Sequence, residues 1–238
     1  MILLFLFLFF FFKKFNILLS LAESRIARFK YVYVNRTNMY TNHTLLGSAE
    51  VKILDVFINL KRHYFAELSK VAQLTRPRTL RVLRKLVKQG ILEINAEANI
   101  KYYSLKKTSL VYTTLGLVEY NRALLFLARN KTLSRALVMF KEKYADYCVM
   151  LVFGSAVKGY ATKASDIDLL LITENVSSGD IKKVENIVDL INGRTGLKIS
   201  PYFMALEEFK KKNELAKQVI ADHILIEGSE LFFRMVLE

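Results

Sequence analysis

The sequence predicts an α+β protein, with a helical and basic front part and a back part in which strands and helices alternate. Its 238 residues suit one large or two small domains, and a hydrophobic content of 53% supplies enough apolar side chains for packed cores. The hydrophobic period changes from helical to alternating after Gly90, and apolar runs typical of buried strands appear after Asp146. We therefore divide the chain into four segments: residues 1–46, 47–107, 108–146 and 147–238.

Charge is distributed unevenly between the front and the back. Residues 1–144 carry 25 Lys and Arg against 8 Asp and Glu, whereas residues 145–238 carry 11 against 14. A positive field of this size attracts phosphate. We therefore expect the front of the chain, and not the back, to bind a polyanion.

The first 46 residues form an apolar leader. The run Met1–Phe12 is too short to cross a bilayer, and extending it to Ala22 would bury Lys13 and Lys14. Three interpretations remain open: translated sequence upstream of a true start at Met39, a weak membrane anchor formed by residues 1–22, or a secretion signal. The single cysteine of the chain excludes a disulfide framework and favours a reducing compartment, so we expect a cytoplasmic protein.

Residues 47–107 predict three helices followed by a β-hairpin. Apolar stripes mark helices over Ala49–Leu60 and Phe65–Ala72, and a third helix starts after Thr75 and stops at Gly90. Strands follow at 91–94 and 100–105, around a turn over Asn95–Asn99. The polar positions of the third helix are almost all cationic, and none is acidic.

This pattern resembles a winged helix-turn-helix domain, which implies binding of double-stranded DNA with the third helix in the major groove. An alternative is a winged helix used only for protein contacts. The expected DNA-binding residues are Arg76, Arg78, Arg81, Arg84, Lys85 and Lys101.

Residues 108–146 predict a helical connector. Thr113 and Thr114 are expected to cap its first helix, Asn130–Thr132 interrupts it, and a second helix covers Leu133–Tyr144. Such a connector either packs on its own chain or forms the seam of a homodimer.

The chemistry-bearing motif lies in residues 147–173. The apolar run Tyr147–Phe153 ends at Gly154-Ser155, with Gly159 four residues further on. Ser165-Asp166-Ile167-Asp168 then opens a second apolar strand. This combination resembles the nucleotidyltransferase superfamily related to DNA polymerase β, most closely its minimal members, and the whole layout resembles a group of archaeal proteins.

The motif has a physical rationale at each position. Glycine lets the backbone approach a triphosphate, and Gly154, Ser155 and Ser165 are the expected nucleotide-binding residues. Asp166 and Asp168 are two apart on a strand, so their carboxylates leave the same face and can hold Mg²⁺. Asp166 and Asp168 are therefore the expected catalytic and metal-binding residues, and the resemblance implies ATP as the nucleotide.

The segment after this motif departs from the active members of the family. A helix over Asp180–Asn192, ending at Gly193, is expected to lead into a strand over Leu197–Met204. The resemblance implies a third carboxylate on that strand, but Ser200 is the expected occupant of its position. Lys198 adds a positive charge on the same face.

Two functions therefore remain open. The first is Mg²⁺-dependent transfer of a nucleotidyl group, AMP from ATP, to a hydroxyl acceptor such as a protein, by a chain that also binds DNA. The second is a DNA-binding transcriptional regulator whose back domain only binds a nucleotide or a protein partner. His223, which opens the apolar run near the C-terminus, is expected to be a structural residue.

Overall fold

The computed structural model describes residues 46–158 and 166–238. The predictions made for residues 1–45, including the start at Met39, and for Gly159 and Ser165 lie outside the described residues. In the two described ranges, no helix combines the length and the apolar character needed to cross a bilayer.

The front part contains three helices and a small antiparallel sheet. A 3₁₀ turn over Phe57–Asn59 follows the first helix. Its helices and strands are α1 Ser48–Val56, β1 His63–Tyr64, α2 Phe65–Val71, α3 Arg76–Lys88, β2 Leu92–Glu97 and β3 Ile100–Leu105.

Helix α3 begins and ends where the sequence predicts. Thr75 is its N-cap with extended backbone, although its side chain forms no capping hydrogen bond, and Pro77 lies in the first turn, where no backbone donor is lost. Gly90 ends the helix with φ +74, a conformation that favours glycine. The amide of Ile91 then donates to the Leu86 carbonyl at 3.0 Å, which fixes the exit of the chain toward β2.

Strand β3 lies at the centre of the first sheet, between β1 and β2, and both pairings are antiparallel. Glu97 pairs with Ile100, so the hairpin turn contains only Ala98 and Asn99 and is shorter than the predicted Asn95–Asn99. Three helices followed by this hairpin confirm the predicted winged helix-turn-helix arrangement.

The connector consists of α4 Ser109–Arg129 and α5 Lys131–Lys143. The prediction that Thr113 and Thr114 cap α4 is wrong, because Thr108 occupies the N-cap with extended backbone and its side chain accepts the Val111 amide at 3.4 Å. Helix α4 packs against the strand His223–Glu227 and the helix Ser229–Leu237 of the same chain.

The back part contains a mixed four-stranded sheet with helices around it. Its elements are β4 Val149–Phe153, α6 Ser155–Lys158, β5 Ile167–Thr173, α7 Ser178–Thr195, β6 Ile199–Ala205, α8 Leu206–Lys210, α9 Glu214–Ala221, β7 His223–Glu227 and α10 Ser229–Leu237. The strand order is β6-β5-β4-β7, with β5 and β6 parallel and the other pairs antiparallel.

The helix between β5 and β6 is longer than predicted. Gly193 lies inside α7, and the helix ends at Gly196, which has φ +69 and donates its amide to the Asn192 carbonyl. Either glycine was compatible with a helix end, and the left-handed conformation at Gly196 decides between them.

The two faces of the sheet have different roles. Met150 and Val152 of β4, with Leu169 and Leu171 of β5, are buried in one core with residues of α5 and α7. Because side chains alternate along a strand, the residues between them, including Asp168, belong to the opposite face. That face is also buried at Leu151 and Leu170, and Asp168 at the start of β5 is only half-buried, which suits a polar site.

A buried polar cluster joins α4 to the edge strand β7. Glu119 has no exposed surface, and its Oε2 accepts the Leu225 amide at 3.2 Å. Arg122 pairs with Glu119 and, at 3.1 Å, with Asp55 of α1. His223, also buried, donates its Nδ1–H to the Val219 carbonyl oxygen at 2.9 Å.

The pH dependence of folding should report on His223. Burial, reinforced by the Arg122 charge, lowers the pKa of His223 from 6.5 to about 4, so the unfolded chain binds this proton more tightly. The His223 contribution to stability is therefore full above pH 6.5 and is lost as the pH falls through 4, at about 3 kcal/mol. We expect this loss of unfolding free energy to be absent in His223→Asn. Denaturant unfolding of both proteins at pH 7, 5.5 and 4 measures it.

Burial raises the pKa of Glu119, which has the opposite effect on the pH dependence of stability and lies 3.9 Å from His223 Nε2. The difference between wild type and variant therefore reports His223 together with its contact to Glu119. Equal losses of unfolding free energy for the two proteins between pH 6.5 and 4 would contradict the prediction.

Candidate functional site

The candidate site lies where the end of β4 is beside the start of β5. The two strands are antiparallel, with Phe153 opposite Asp168, and Gly154 follows directly with φ +75. A Cβ at Gly154 would overlap the Oδ2 atom of Asp168 and lie 3.1 Å from its Cγ. Gly154 is thus needed both for the turn and for the space that the Asp168 carboxylate occupies.

Strand β6 brings Lys198 and Ser200 to the same place. Ser200 pairs with Asp168 in the parallel register, and its hydroxyl donates to Asp166 Oδ2 at 3.2 Å. The Lys198 ammonium lies 2.8 Å from Asp166 Oδ1. Both oxygens of Asp166 therefore have partners supplied by β6 or its preceding residue.

The surroundings of Asp166 and Asp168 shift their pKa values in opposite directions. The hydrogen bond and charge of Lys198 lower the pKa of Asp166, and the Ser200 hydroxyl contributes in the same direction. Burial raises the pKa of Asp168, the nearby Asp166 charge raises it further, and a hydrogen bond from Tyr202 partly offsets both. Asp166 is thus the stronger acid of the pair.

Tyr202 is a site residue that sequence reasoning missed. It lies two positions after Ser200 on β6, so the alternation of the strand places it on the same face. Its ring also contacts Phe153, with centroids 5.4 Å apart. The period of the strand was the signal that could have found it.

The donor set bears on the expected metal. In residues 46–158 and 166–238, no group of three or more His, Cys, Asp or Glu side chains is arranged to hold a metal ion. Two carboxylates remain, and Mg²⁺ is commonly held by one or two carboxylates together with substrate phosphates. Asp166 and Asp168 therefore fit Mg²⁺ that arrives with a nucleotide better than free Mg²⁺.

The other expected nucleotide-binding residues lie beside this pair or outside the described residues. Ser155 begins the four-residue helix α6 immediately after Gly154 and is half-buried. Ser165 precedes Asp166 in sequence but is not among the described residues.

The expected DNA-binding residues lie on α3, except for Lys101, which lies on the hairpin. Arg76, Arg78, Arg81 and Arg84 are exposed, as is Lys101 on β3. Lys85 pairs with Glu50 of α1 at 2.8 Å, so part of its charge is already compensated. On the other side of α3, Val82 is buried, whereas Leu80 is 37% exposed.

Substitution of Gly154 tests the close approach of Asp168. We expect Gly154→Ala to lower the unfolding free energy by about 2 kcal/mol, because the added Cβ meets Asp168 and alanine disfavours positive φ. Denaturant unfolding of the full chain measures this loss.

Gly193→Ala is the matched control for that experiment. Gly193 lies inside α7, and a Cβ there meets nothing within 4 Å. This change should therefore raise the unfolding free energy by up to about 1 kcal/mol. Equal stability of the two variants would refute the steric role of Gly154.

Comparisons with known proteins find a family similar to the back part. The family model described as polymerase beta nucleotidyltransferase matches residues 136–233. A protein of Methanocaldococcus jannaschii, provisionally named a protein adenylyltransferase, is 28% identical over 115 residues, which is 46% of this chain and 78% of that protein.

Solved structures similar to this chain include three with TM-scores of 0.33 or less. The adhesin competence repressor of Streptococcus pyogenes is 17% identical, covers 46% of this chain and 82% of its own, and has a TM-score of 0.33. A MarR family transcriptional regulator of Silicibacter pomeroyi is 15% identical, with 51% and 90% covered and a TM-score of 0.30. The archaeal chromatin protein TrmBL2 is 20% identical, with 70% and 69% covered and a TM-score of 0.27. At these scores the likeness assigns neither fold nor function to this chain.

The matched segment contains β4, β5, β6 and both aspartates of the candidate site, and its strands form the mixed sheet described above. Residues 136–233 of this chain are therefore similar to the polymerase β nucleotidyltransferase family.

Proposed function

We propose that the chain transfers a nucleotidyl group, AMP from ATP, to a hydroxyl acceptor in the presence of Mg²⁺, and that its winged helix binds double-stranded DNA. The observation that carries the transferase proposal is the position of Asp166 and Asp168 beside Gly154 and Ser155, within the segment that matches the family. The name of the M. jannaschii relative supports a protein as the acceptor.

Each site residue has a role in this proposal. Gly154, Ser155 and Ser165 would bind the triphosphate, and Asp166 and Asp168 would hold Mg²⁺, which would neutralise charge on the phosphates. The acceptor oxygen forms a bond to the α-phosphorus, the bond to pyrophosphate breaks, and the acceptor hydroxyl gives up its proton.

Ser200 limits the rate of this reaction. It lies beside Asp168 where the family resemblance implies a carboxylate, and a serine hydroxyl accepts no proton near pH 7. The acceptor proton must therefore leave to solvent or to one of the two aspartates. We expect slow transfer as a consequence.

The transferase proposal is tested with α-labelled ATP and cell extract. We expect label to appear on a protein in the presence of the full chain and Mg²⁺, and to disappear with Asp168→Ala. Ser200→Asp should raise the rate about tenfold or more, because it supplies a third carboxylate beside the pair.

Ser200→Asn is the matched control, since it changes the size of the side chain similarly without adding a base. Absence of label transfer with all four nucleoside triphosphates would refute the transferase proposal.

A second candidate function is a DNA-binding regulator whose back domain binds nucleotide without transferring it. The pairing of Asp166 with Lys198, together with the neutral Ser200, favours this alternative because it leaves less negative charge for a metal. Calorimetric binding of Mg-ATP without pyrophosphate release would support the regulator over the transferase.

The DNA-binding proposal rests on the exposed cations of α3. The apolar side of α3, including Val82, Leu83 and Leu86, is buried. The arginines therefore lie on the opposite side of the helix, which is available to a major groove. Phosphate contacts release counterions, so affinity falls with salt by a slope of about −0.9 per contact.

We expect Arg81→Ala to weaken duplex binding and to reduce the salt slope by about 1 if it contacts phosphate, or to relax sequence preference if it contacts guanine. Lys85→Ala should have a smaller effect, because Lys85 already pairs with Glu50. Fluorescence anisotropy with labelled duplexes between about 50 and 200 mM salt measures both.

Lys217→Ala, an exposed lysine of α9 in the acidic back part, is the control and should leave DNA affinity unchanged. Equal effects of the Arg81 and Lys217 substitutions would refute α3 as the DNA-binding element.

A further inference from the structure

Lys198 is held next to Asp166 by the backbone as well as by its own charge. The Ile167 amide donates to the Lys198 carbonyl at 2.7 Å, which fixes the start of β6 beside the start of β5. The Lys198 ammonium then lies 2.8 Å from Asp166 Oδ1. The ion pair thus follows from the register of the sheet.

The charges of the site are unusual for a place that would bind free metal. Asp166 and Asp168 contribute two carboxylates, Lys198 compensates one of them, and Ser200 contributes a neutral hydroxyl that already donates to Asp166. A free divalent cation would have to displace the ammonium from Asp166 or bind while repelled by it. The residues therefore disfavour metal without an accompanying anion.

A nucleoside triphosphate changes this balance. It brings several negative charges, which offer the Lys198 ammonium another partner. The Lys198 side chain is 73% exposed and has a flexible stem, so little packing opposes its movement from carboxylate to phosphate. Mg²⁺ already bound to phosphates then needs only the two aspartates.

We propose that Lys198 is an internal counter-ion that keeps the aspartate pair from binding free divalent metal and makes it select metal complexed with a nucleoside triphosphate. The proposal deepens the proposed function and rests on the assignment of Asp166 and Asp168 as its metal-binding residues. Lys198 is thereby a specificity-determining residue of the site.

The test measures Mn²⁺ binding to the full chain by electron paramagnetic resonance, without nucleotide. We expect Lys198→Met to bind Mn²⁺ about tenfold more tightly than wild type, because it removes a positive charge within a few ångströms of the metal position. Lys198→Arg keeps the charge and should behave like wild type. The gain should vanish in Lys198→Met combined with Asp166→Asn, which locates the bound ion.

Lys217→Met is the matched control, because Lys217 forms an ion pair of similar length with Glu214 on the exposed side of α9. It should leave Mn²⁺ affinity unchanged. With Mn²⁺ and α,β-methylene ATP together, Lys198→Met should instead bind the complex more weakly than wild type, since the phosphates lose a cationic partner.

Unchanged or weaker Mn²⁺ affinity in Lys198→Met, or an equal gain in Lys217→Met, would overturn the counter-ion role. Label transfer is scored separately on the same preparations. Transfer without a change in Mn²⁺ affinity refutes the counter-ion role alone, whereas tighter Mn²⁺ binding without transfer supports that role and counts against the transferase.

Discussion

The Glu119 carboxylate of α4 has no exposed surface, and two other parts of the fold depend on how its charge is satisfied. It accepts the Leu225 amide of the edge strand β7 and pairs with Arg122, which also reaches Asp55 on α1. Burial raises the pKa of Glu119, whereas Arg122 opposes that shift. A buried charge without its partner is strongly destabilising, so the front helices, the connector and the sheet edge are held in one arrangement.

Strand β4 transmits this constraint to the candidate site. It pairs with β7 on one side and β5 on the other, so Phe153 lies between His223 and Asp168 in the sheet register. The same register ends β4 at Gly154, under the Asp168 carboxylate. The aspartate pair therefore lies beside the end of β4. The other neighbour of β4 is β7, which the buried cluster holds in place.

Electrostatics separates the two halves of the proposed function. The cations of α3 are exposed, and Lys85 forms an ion pair with Glu50 of α1. At the other end, Lys198 reduces the negative charge of the aspartate pair. Under the proposed function, a polyanion on α3 and a nucleotide at the sheet would thus contact separate sets of charged residues.

Local patterns in the sequence determined the elements and the faces that local physics controls. The cationic side of α3 follows from helical spacing, and the shared face of Asp166, Asp168 and Ser200 follows from the period of two along strands. The same period could have indicated Tyr202. Because a helix end needs only a glycine that can adopt positive φ, sequence alone did not choose between Gly193 and Gly196.

Tertiary structure decided the contacts between residues far apart in sequence. The hydrogen bond from Ser200 to Asp166 spans 34 positions and that from Leu225 to Glu119 spans 106. Lys198 was visible in the sequence as a nearby positive charge, but its ion pair with Asp166 depends on the parallel register of β5 and β6. Sequence spacing carries local periodicity, whereas strand register and the partners of buried charges are set only when the whole chain packs.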